Sequence, residues 1–412
     1  MTDRIKESIP DSGAGRGYAW DMQDAGTNAV LAVVAAAAAA TVASTVMTLI
    51  LIRLGHRAGA LDSAGAGGHR KQLRPIPNIG GVAITWSVLL PIAAGLTGAA
   101  SIGADRLAEW LPPFAESARR FAGNTQPACA ILIGAAVLHI MGLIDDRRAL
   151  SAWPKLIVQC AVAASVAAFG GVRVLMLLDV HVGGPWLSIA LSALFMVAMV
   201  NAVNFLDNMD GLAGGVSFIA AAAFCTAACI SRQWATAAVL ALLAGGLLGF
   251  LVFNFPWRAT RPARIFMGDG GSLPVGFLLA TLAIQITFTA PDEPQYALGG
   301  HWYGVLSPLV ILAVPLYDSV IVTLLRMGQG KSPMVGDHQH FSHRLVMRGL
   351  SSRGAVLLIC ALATTCGIGG LLLGTAAPWQ AVLIGAQTIV VLLTIAALEQ
   401  PLLAEMRAGV NR

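Results

Sequence analysis

Charge is what this chain has least of. Only 11% of its 412 residues are Asp, Glu, Lys or Arg, against 57% hydrophobic residues. A water-soluble domain carries roughly 25% charged residues. So few charges over so long a chain exclude an ordinary soluble globule and make the bilayer the solvent for most of the surface. Cysteine chemistry is also missing. Cys129, Cys160, Cys225, Cys229, Cys360 and Cys366 form no CxxC pair and have no histidine at ligand spacing, so they read as small apolar packing residues. The net charge of +5 is spread over short loops and gathers on no single face, so no nucleic-acid partner is expected. A secretory leader is not expected either. Residues 1–28 are polar and of mixed charge, and the apolar run after them is too long for a signal core and has no clear cleavage site.

Long apolar runs are present instead. About eleven are long enough to cross roughly 30 Å of hydrocarbon as helices. They cover 29–52, 80–100, 127–144, 154–171, 186–204, 214–230, 235–253, 273–290, 304–325, 355–374 and 378–398. The pattern predicts an all-α polytopic membrane protein of about 11 transmembrane helices, or 10 if one run is discounted. It predicts a single transmembrane domain over 29–398, a polar N-terminal tail (1–28) and a C-terminal tail (399–412). Between Gly171 and Trp186 apolar and polar residues alternate around a Gly pair, which predicts a small periplasmic hairpin. The loops after the odd-numbered spans hold sixteen Lys and Arg, counting Lys155 at a span edge, and those after the even-numbered spans hold five. The odd loops are therefore expected in the cytoplasm, with the N-terminus outside and the C-terminus inside.

The carboxylates follow this asymmetry. Asp145 and Asp146, Asp207 and Asp210, Asp269 and Asp337 all fall on the side expected to be cytoplasmic. A carboxylate at membrane depth costs about 3 kcal/mol or more, so Asp207 and Asp210 beside an apolar helix end point to a polar cavity at the membrane face. Five aspartates from three loops would repel one another unless some are protonated or cations sit among them. Lys71, Lys155, Arg264 and Arg344 lie in nearby loops. Mg²⁺ suits such a cluster, because it takes one or two carboxylates and completes its shell with water and phosphate oxygens. That chemistry points to phosphoryl transfer. The run Gly268-Asp269-Gly270-Gly271-Ser272 opens a span, where glycines let backbone N–H groups approach an anion and an Asp can hold a metal beside it. His338, His340 and His343 lie close together, but no second ligand set accompanies them; anion binding is favoured over zinc.

Taken together these segments resemble the polyprenyl-phosphate N-acetylhexosamine-1-phosphate transferase superfamily. The resemblance runs from about residue 69 to 350. It is carried by Pro77-Asn-Ile-Gly80-Gly81, Gly142-Leu-Ile-Asp145-Asp146-Arg147-Arg148 with Lys155 and Gln159, Asn204 to Gly211, Asn254, Met267 to Ser272, Pro315 with Asp318, and His340 to Leu345. It implies ten or eleven helices in a bacterial inner (plasma) membrane, dependence on Mg²⁺ with Mn²⁺ as a substitute, and a cytoplasmic active site. The implied reaction moves a sugar 1-phosphate, GlcNAc-1-phosphate first among the candidates, from a UDP-sugar to polyprenyl phosphate with release of UMP. A homodimer is compatible with it. Arg344 directly after His343 looks like the hexosamine branch rather than the phospho-N-acetylmuramoyl-pentapeptide branch. Ser342 stands where that branch commonly has His, Asn208 where it has Gly, and Gln72 where a His often follows the Arg-Lys pair.

The resemblance and the chemistry of the side chains together assign roles. Asp145, Asp146 and Asp269 are expected to be catalytic, with Asp269 and Asp145 on the metal and Asp145 or Asp146 orienting or deprotonating the acceptor phosphate. Lys155 is expected to neutralise phosphate. Asn204, Asp207, Asp210 and Asn254, with Lys71, are expected to hold the nucleotide, and His340, His343 and Arg344 the diphosphate or sugar. Helix capping is the alternative for Asn204 and Asn254, interfacial snorkelling for Lys155, and structural pairing inside the bundle for Asp318. Direct attack of the acceptor phosphate and a two-step route through a phospho-aspartyl enzyme both remain open. An anion transporter is the competing class; it would need polar residues near span midpoints and two related halves.

Overall fold

The computed structural model describes residues 14–58, 76–110, 112–115, 119, 123–258, 262–288, 302–330 and 340–410. Fifteen α-helices follow in order among them: α1 (Ala14–Ala58), α2 (Gly80–Ile102), α3 (Ala104–Trp110), α4 (Gln126–Arg147), α5 (Ala152–Phe169), α6 (Asp179–Val182), α7 (Trp186–Leu206), α8 (Leu212–Ile230), α9 (Trp234–Asn254), α10 (Asp269–Phe288), α11 (Ser307–Ile311), α12 (Ala313–Gly328), α13 (Phe341–Met347), α14 (Ser352–Leu373) and α15 (Pro378–Val410). Among the described residues ten helices are long and apolar enough to cross a membrane, and an eleventh crossing arises if a bent pair counts as one. The protein is an all-α, multi-pass membrane protein.

Lipid chemistry explains the burial pattern. Ile133, Ile140 and Ile144 on α4 and Val382, Leu383 and Leu393 on α15 are exposed, an apolar girdle that would be costly in water and costs nothing in hydrocarbon. With lipid tails as apolar as leucine, helices associate through close contact of small residues. Helix α1 lies along α9 in this way. A Cβ added at Gly245 would stand 2.2 Å from the Ala37 carbonyl oxygen, and the Ser44 hydroxyl donates to the Gly246 carbonyl at 2.7 Å. Helix α10 is the hub, enclosed by α2, α4, α7 and α8, with Leu273 through Ile284 almost wholly buried.

The ninth apolar run does not form the continuous helix expected over 304–325. The stretch Tyr303–Ile311 and α12 meet at 70°. Pro315 has no N–H to offer the Ile311 carbonyl, and its ring crowds that carbonyl, so the helix breaks one turn before it. The hairpin expected at 171–186 is also replaced. Leu175 takes a left-handed φ of 51°, a 3₁₀ turn spans Met176–Leu178, and α6 adds a single helical turn. An Arg173–Asp179 ion pair at 2.8 Å closes this loop on itself, so no strand pairing forms. At the N-terminus, α1 starts at Ala14, inside the tail expected over 1–28.

Chain direction sets where polar groups meet. The C-terminal ends of α4, α7, α9 and α12 and the N-terminal ends of α5, α8, α10 and α14 gather at one end of the bundle, because successive spans alternate in direction. If the α1–α9 contact holds the bundle together, Gly245→Val overpacks it and costs about 1–3 kcal/mol. Gly95→Val, at a position with nothing within 4 Å, serves as the control. Thermal unfolding in detergent should show a lowered midpoint for the first variant only; equal midpoints would mean that α1 is loosely held.

Candidate active site

Two aspartates side by side in the last turn of α4 receive opposite surroundings, because adjacent helical residues point about 100° apart. Asp145 turns toward α5. Its Oδ1 accepts from the Leu150 N–H at 2.6 Å and its Oδ2 from Lys155 Nζ at 2.8 Å. Asp146 turns toward the start of α10. Its Oδ1 accepts from the Asn78 side-chain amide at 3.0 Å and the Asp269 N–H at 2.9 Å, and its Oδ2 from the Gly270 N–H at 2.9 Å. The first N–H groups of a helix lack intrahelical partners, and Asp146 supplies them across a helix–helix contact.

The contact is close because α4 carries no side chain there. A Cβ on Gly142 would lie 2.3 Å from the Asp269 carbonyl. The segment Pro77–Gly81 closes the other side of the turn: the Gly80 and Gly81 N–H groups donate to the Phe266 and Met267 carbonyls at 2.9 Å, and Phe266 N–H donates to Pro77 at 2.8 Å. Asp269 is thereby fixed at the first position of α10. Its Oδ1 accepts from Asn204 Nδ2 at 2.8 Å, and the same amide reaches Ser272 Oγ at 2.9 Å. Its Oδ2 lies 3.6 Å from Lys155 Nζ. One ammonium therefore bridges two carboxylates from different helices, and all three side chains keep some exposure: 27% for Lys155, 10% for Asp145 and 24% for Asp269.

Three residues beyond Asn204, Asp207 enters a cavity of about 420 Å³. Asp207, Asn208 and Asp210 form part of its wall, with Asn254, Phe266, His343 and Arg353 around them. The Asp210 carboxylate accepts from the Ala263 N–H at 3.0 Å. Asn254, the last residue of α9, ties both ends of its side-chain amide to the frame: Oδ1 accepts from Gly211 N–H at 2.8 Å and Nδ2 donates to the Ile265 carbonyl at 2.9 Å.

The expected site residues thus fall into two adjoining groups. Asp145, Asp146, Lys155, Asn204 and Asp269 meet at the α4–α5–α10 junction, and Asp207, Asp210, Asn254 and His343 line the cavity. His340 and Arg344 are buried at 4% and 1% exposure, beside the cavity rather than on its wall. Lys71, Asp337 and His338 lie outside the described residues. Several contributors carried no role in the sequence reading. Asn78 holds Asp146, Asn201 Nδ2 donates to Gln159 Oε1 at 2.7 Å to tie α7 to α5, and the buried His139 sits against the Gly270 carbonyl through Nδ1. A histidine inside an apolar span, on the same helix face as Asp146, is the signal that marks the last of these.

Mg²⁺ is the cofactor that the resemblance implies, and the donor set fits it. Asp146 has given both oxygens to the frame, while Asp145 and Asp269 converge on one point and stay partly open. Among the described residues no three His, Cys, Asp or Glu side chains form a cage; two carboxylates completed by water and phosphate are what Mg²⁺ uses.

Comparison with known proteins shows the family. The family model described as glycosyl transferase family 4 matches residues 128–287, from the start of α4 to the end of α10. A decaprenyl-phosphate N-acetylglucosaminephosphotransferase of Mycolicibacterium smegmatis is 33% identical over 307 residues, covering 70% of this chain and 69% of the relative. A probable undecaprenyl-phosphate N-acetylglucosaminyl 1-phosphate transferase of Bacillus subtilis is 29% identical over 258 residues, covering 62% and 68%. An undecaprenyl-phosphate alpha-N-acetylglucosaminyl 1-phosphate transferase of Escherichia coli K12 is 31% identical over 240 residues, covering 56% and 62%. With its carboxylates and lysine gathered at one end of a membrane-spanning bundle, and with relatives of this likeness, the chain belongs to the polyprenyl-phosphate N-acetylhexosamine-1-phosphate transferases of glycosyl transferase family 4.

Proposed function

We propose that this protein transfers GlcNAc-1-phosphate from UDP-GlcNAc to a polyprenyl phosphate, releasing UMP, at the cytoplasmic face of a bacterial plasma membrane. The observation that carries the proposal is the Lys155 ammonium held between Asp145 and Asp269 beside the 420 Å³ cavity. It provides a cation for phosphate and two carboxylates for a metal at a helix end, where a lipid phosphate can meet a soluble nucleotide. The names of the relatives support the sugar and the lipid acceptor. The Lys and Arg asymmetry of the loops supports the cytoplasmic side.

Each group then has a task. The cavity wall of Asp207, Asn208 and Asp210 takes the nucleotide, and His343 faces the diphosphate or sugar. Lys155 neutralises phosphate charge, and Asn204 keeps Asp269 oriented. Asp145 and Asp269 would hold Mg²⁺, which would supply charge stabilisation for phosphoryl transfer. An acceptor phosphate oxygen forms the new bond to the β-phosphorus, the bond from that phosphorus to the bridging oxygen breaks, and UMP leaves with the electron pair. Direct attack is preferred over a phospho-aspartyl route through Asp146, whose oxygens already accept from the Asn78 amide and the Asp269 and Gly270 N–H groups, which weakens that carboxylate as a nucleophile. A carrier is disfavoured because α10, the hub of the bundle, is apolar and enclosed along its middle.

The test is UMP release by purified protein in detergent with undecaprenyl phosphate and Mg²⁺. UDP-GlcNAc should support turnover and UDP-MurNAc-pentapeptide should not; the reverse would move the protein to the muramoyl branch. Asp269→Asn and Lys155→Gln should each lower kcat about 100-fold or more, the scale for removing a positioned charge from a transition state, and near-normal rates in both would sink the site assignment. Chelation with EDTA should stop turnover and added Mg²⁺ should restore it, with Mn²⁺ as a weaker substitute. Turnover that survives EDTA would remove the metal from the proposal.

A further inference from the structure

Helix α12 carries two ionisable side chains inside the bundle. Asp318 and Arg326 are each 1% exposed, and with Val314 and Val322 they form a stripe four residues apart on one helix face. Charges buried this deeply persist only where partners repay their desolvation. The partners here belong to the segment that reaches the cavity.

Both oxygens of Asp318 are used by the start of α13. Oδ2 lies 2.9 Å from His340 Nδ1, and Oδ1 accepts from the Phe341 N–H at 2.8 Å. Since a carboxylate accepts, the His340 proton sits on Nδ1. Nε2 is then left as an acceptor facing Arg326 Nη2 at 3.5 Å. Phe205, two residues before Asp207, completes the cluster: the His340 ring meets it edge-on at 5.7 Å and the Arg326 guanidinium lies over it at 5.1 Å. The next residue of the segment is fastened on the opposite side. Ser342 Oγ donates to Asn208 Oδ1 at 2.6 Å, and Asn208 Nδ2 donates back to the Phe205 carbonyl at 2.7 Å. Ser342 and Asn208, two of the three departures from the common motifs, are therefore bonded to each other. Residues 340 and 341 are held to α12 and residue 342 to the Asp207–Asp210 loop. His343 follows immediately, on the cavity wall.

We propose that Asp318 is a positioning residue for the donor pocket: by holding His340 and Phe341 against α12, with the Ser342–Asn208 bond as the second fastening, it sets His343 opposite Asp207 and Asp210. The inference rests on the reading of the cavity as the UDP-sugar site. Asp318 touches no substrate and acts through the segment it holds. Asn at this position can still accept from the Phe341 N–H, but its amide donates to His340 Nδ1, which moves the ring proton to Nε2 and sets it against the Arg326 guanidinium.

The full chain in detergent tests this with Asp318→Asn and Ser342→Ala, by steady-state kinetics with UDP-GlcNAc and undecaprenyl phosphate varied separately. The donor KM should rise about tenfold or more for Asp318→Asn, the scale of a disturbed charged hydrogen bond. For Ser342→Ala the rise should be severalfold. The acceptor KM and kcat should stay near wild type in both. A fall in kcat with both KM values unchanged, or an unchanged donor KM in folded protein, overturns the proposal. Hydrogen exchange gives an arm that needs no turnover. Peptides over 340–347 should exchange faster in Asp318→Asn while those over 212–230 do not change; equal protection over 340–347 overturns the fastening. Wild-type protein that releases no UMP from any UDP-sugar would defeat the donor reading, and the exchange result would still decide whether Asp318 holds the segment.

Discussion

The site depends on a carboxylate at the end of one helix serving the start of another. Asp146 sits where the α4 macrodipole is negative, an unfavourable place for a further negative charge. The first N–H groups of α10 face the opposite problem, with positive partial charge and no intrahelical acceptor. Bringing the two ends together resolves both, and Asn78 adds a neutral donor to the same carboxylate. The arrangement requires the helices to approach within backbone contact, and Gly142 permits it. Once the turn is fixed, Asp269 faces Asn204 and Lys155 at the end of the helix that forms the hub of the bundle.

A division of labour follows from the cost of buried charge. Neutral amides do most of the fastening: Asn78 on Asp146, Asn201 on Gln159, Asn204 between Asp269 and Ser272, Asn254 between two loops, and Asn208 on Ser342. Each carries both donors and an acceptor, so it can satisfy loop backbone or a carboxylate without adding a charge that would need its own counter-ion. Asp318, almost wholly buried, is met directly by a backbone donor and a ring nitrogen. The groups left partly open, Lys155, Asp145 and Asp269, are the ones to which the proposed function gives phosphate or metal chemistry.

The spans could be read from the sequence because hydrocarbon forces backbone polar groups into helices, leaving hydropathy as a nearly direct record of structure. The exceptions have local causes. Pro315 was visible, but a proline in a span fixes neither the angle of a break nor what the freed end does. The alternation in 171–186 suited a hairpin equally well until the Arg173–Asp179 pair closed the loop. In the site, aspartates at apolar helix ends announced themselves, and the motif resemblance grouped them. The split between Asp145 and Asp146 was not legible, since it depends on which helix faces each side of the last turn. Nor was the role of His340, which lies in a motif associated with substrate but whose ring is committed to Asp318. Asp318 and Arg326 stand eight residues apart, and their shared purpose appears only when a segment from beyond the helix is laid between them.

Charge balance then explains why substrate and metal are expected to enter together. In the protein alone, one Lys155 ammonium serves both Asp145 and Asp269. Two carboxylates against one cation leave a net negative charge at a half-buried position, a poor reception for a diphosphate. On the proposed reading, a phosphate that recruits Lys155 withdraws the counter-charge both carboxylates were sharing. Asp145 and Asp269 would then hold a divalent cation, which would supply the missing charge without opening the frame, because Asp146, Asn78 and the backbone amides of the turn are committed to one another. Geometry thus keeps the neighbouring aspartates apart: Asp146 is spent on the rigid turn, and on the proposed reading Asp145 is the one that exchanges partners.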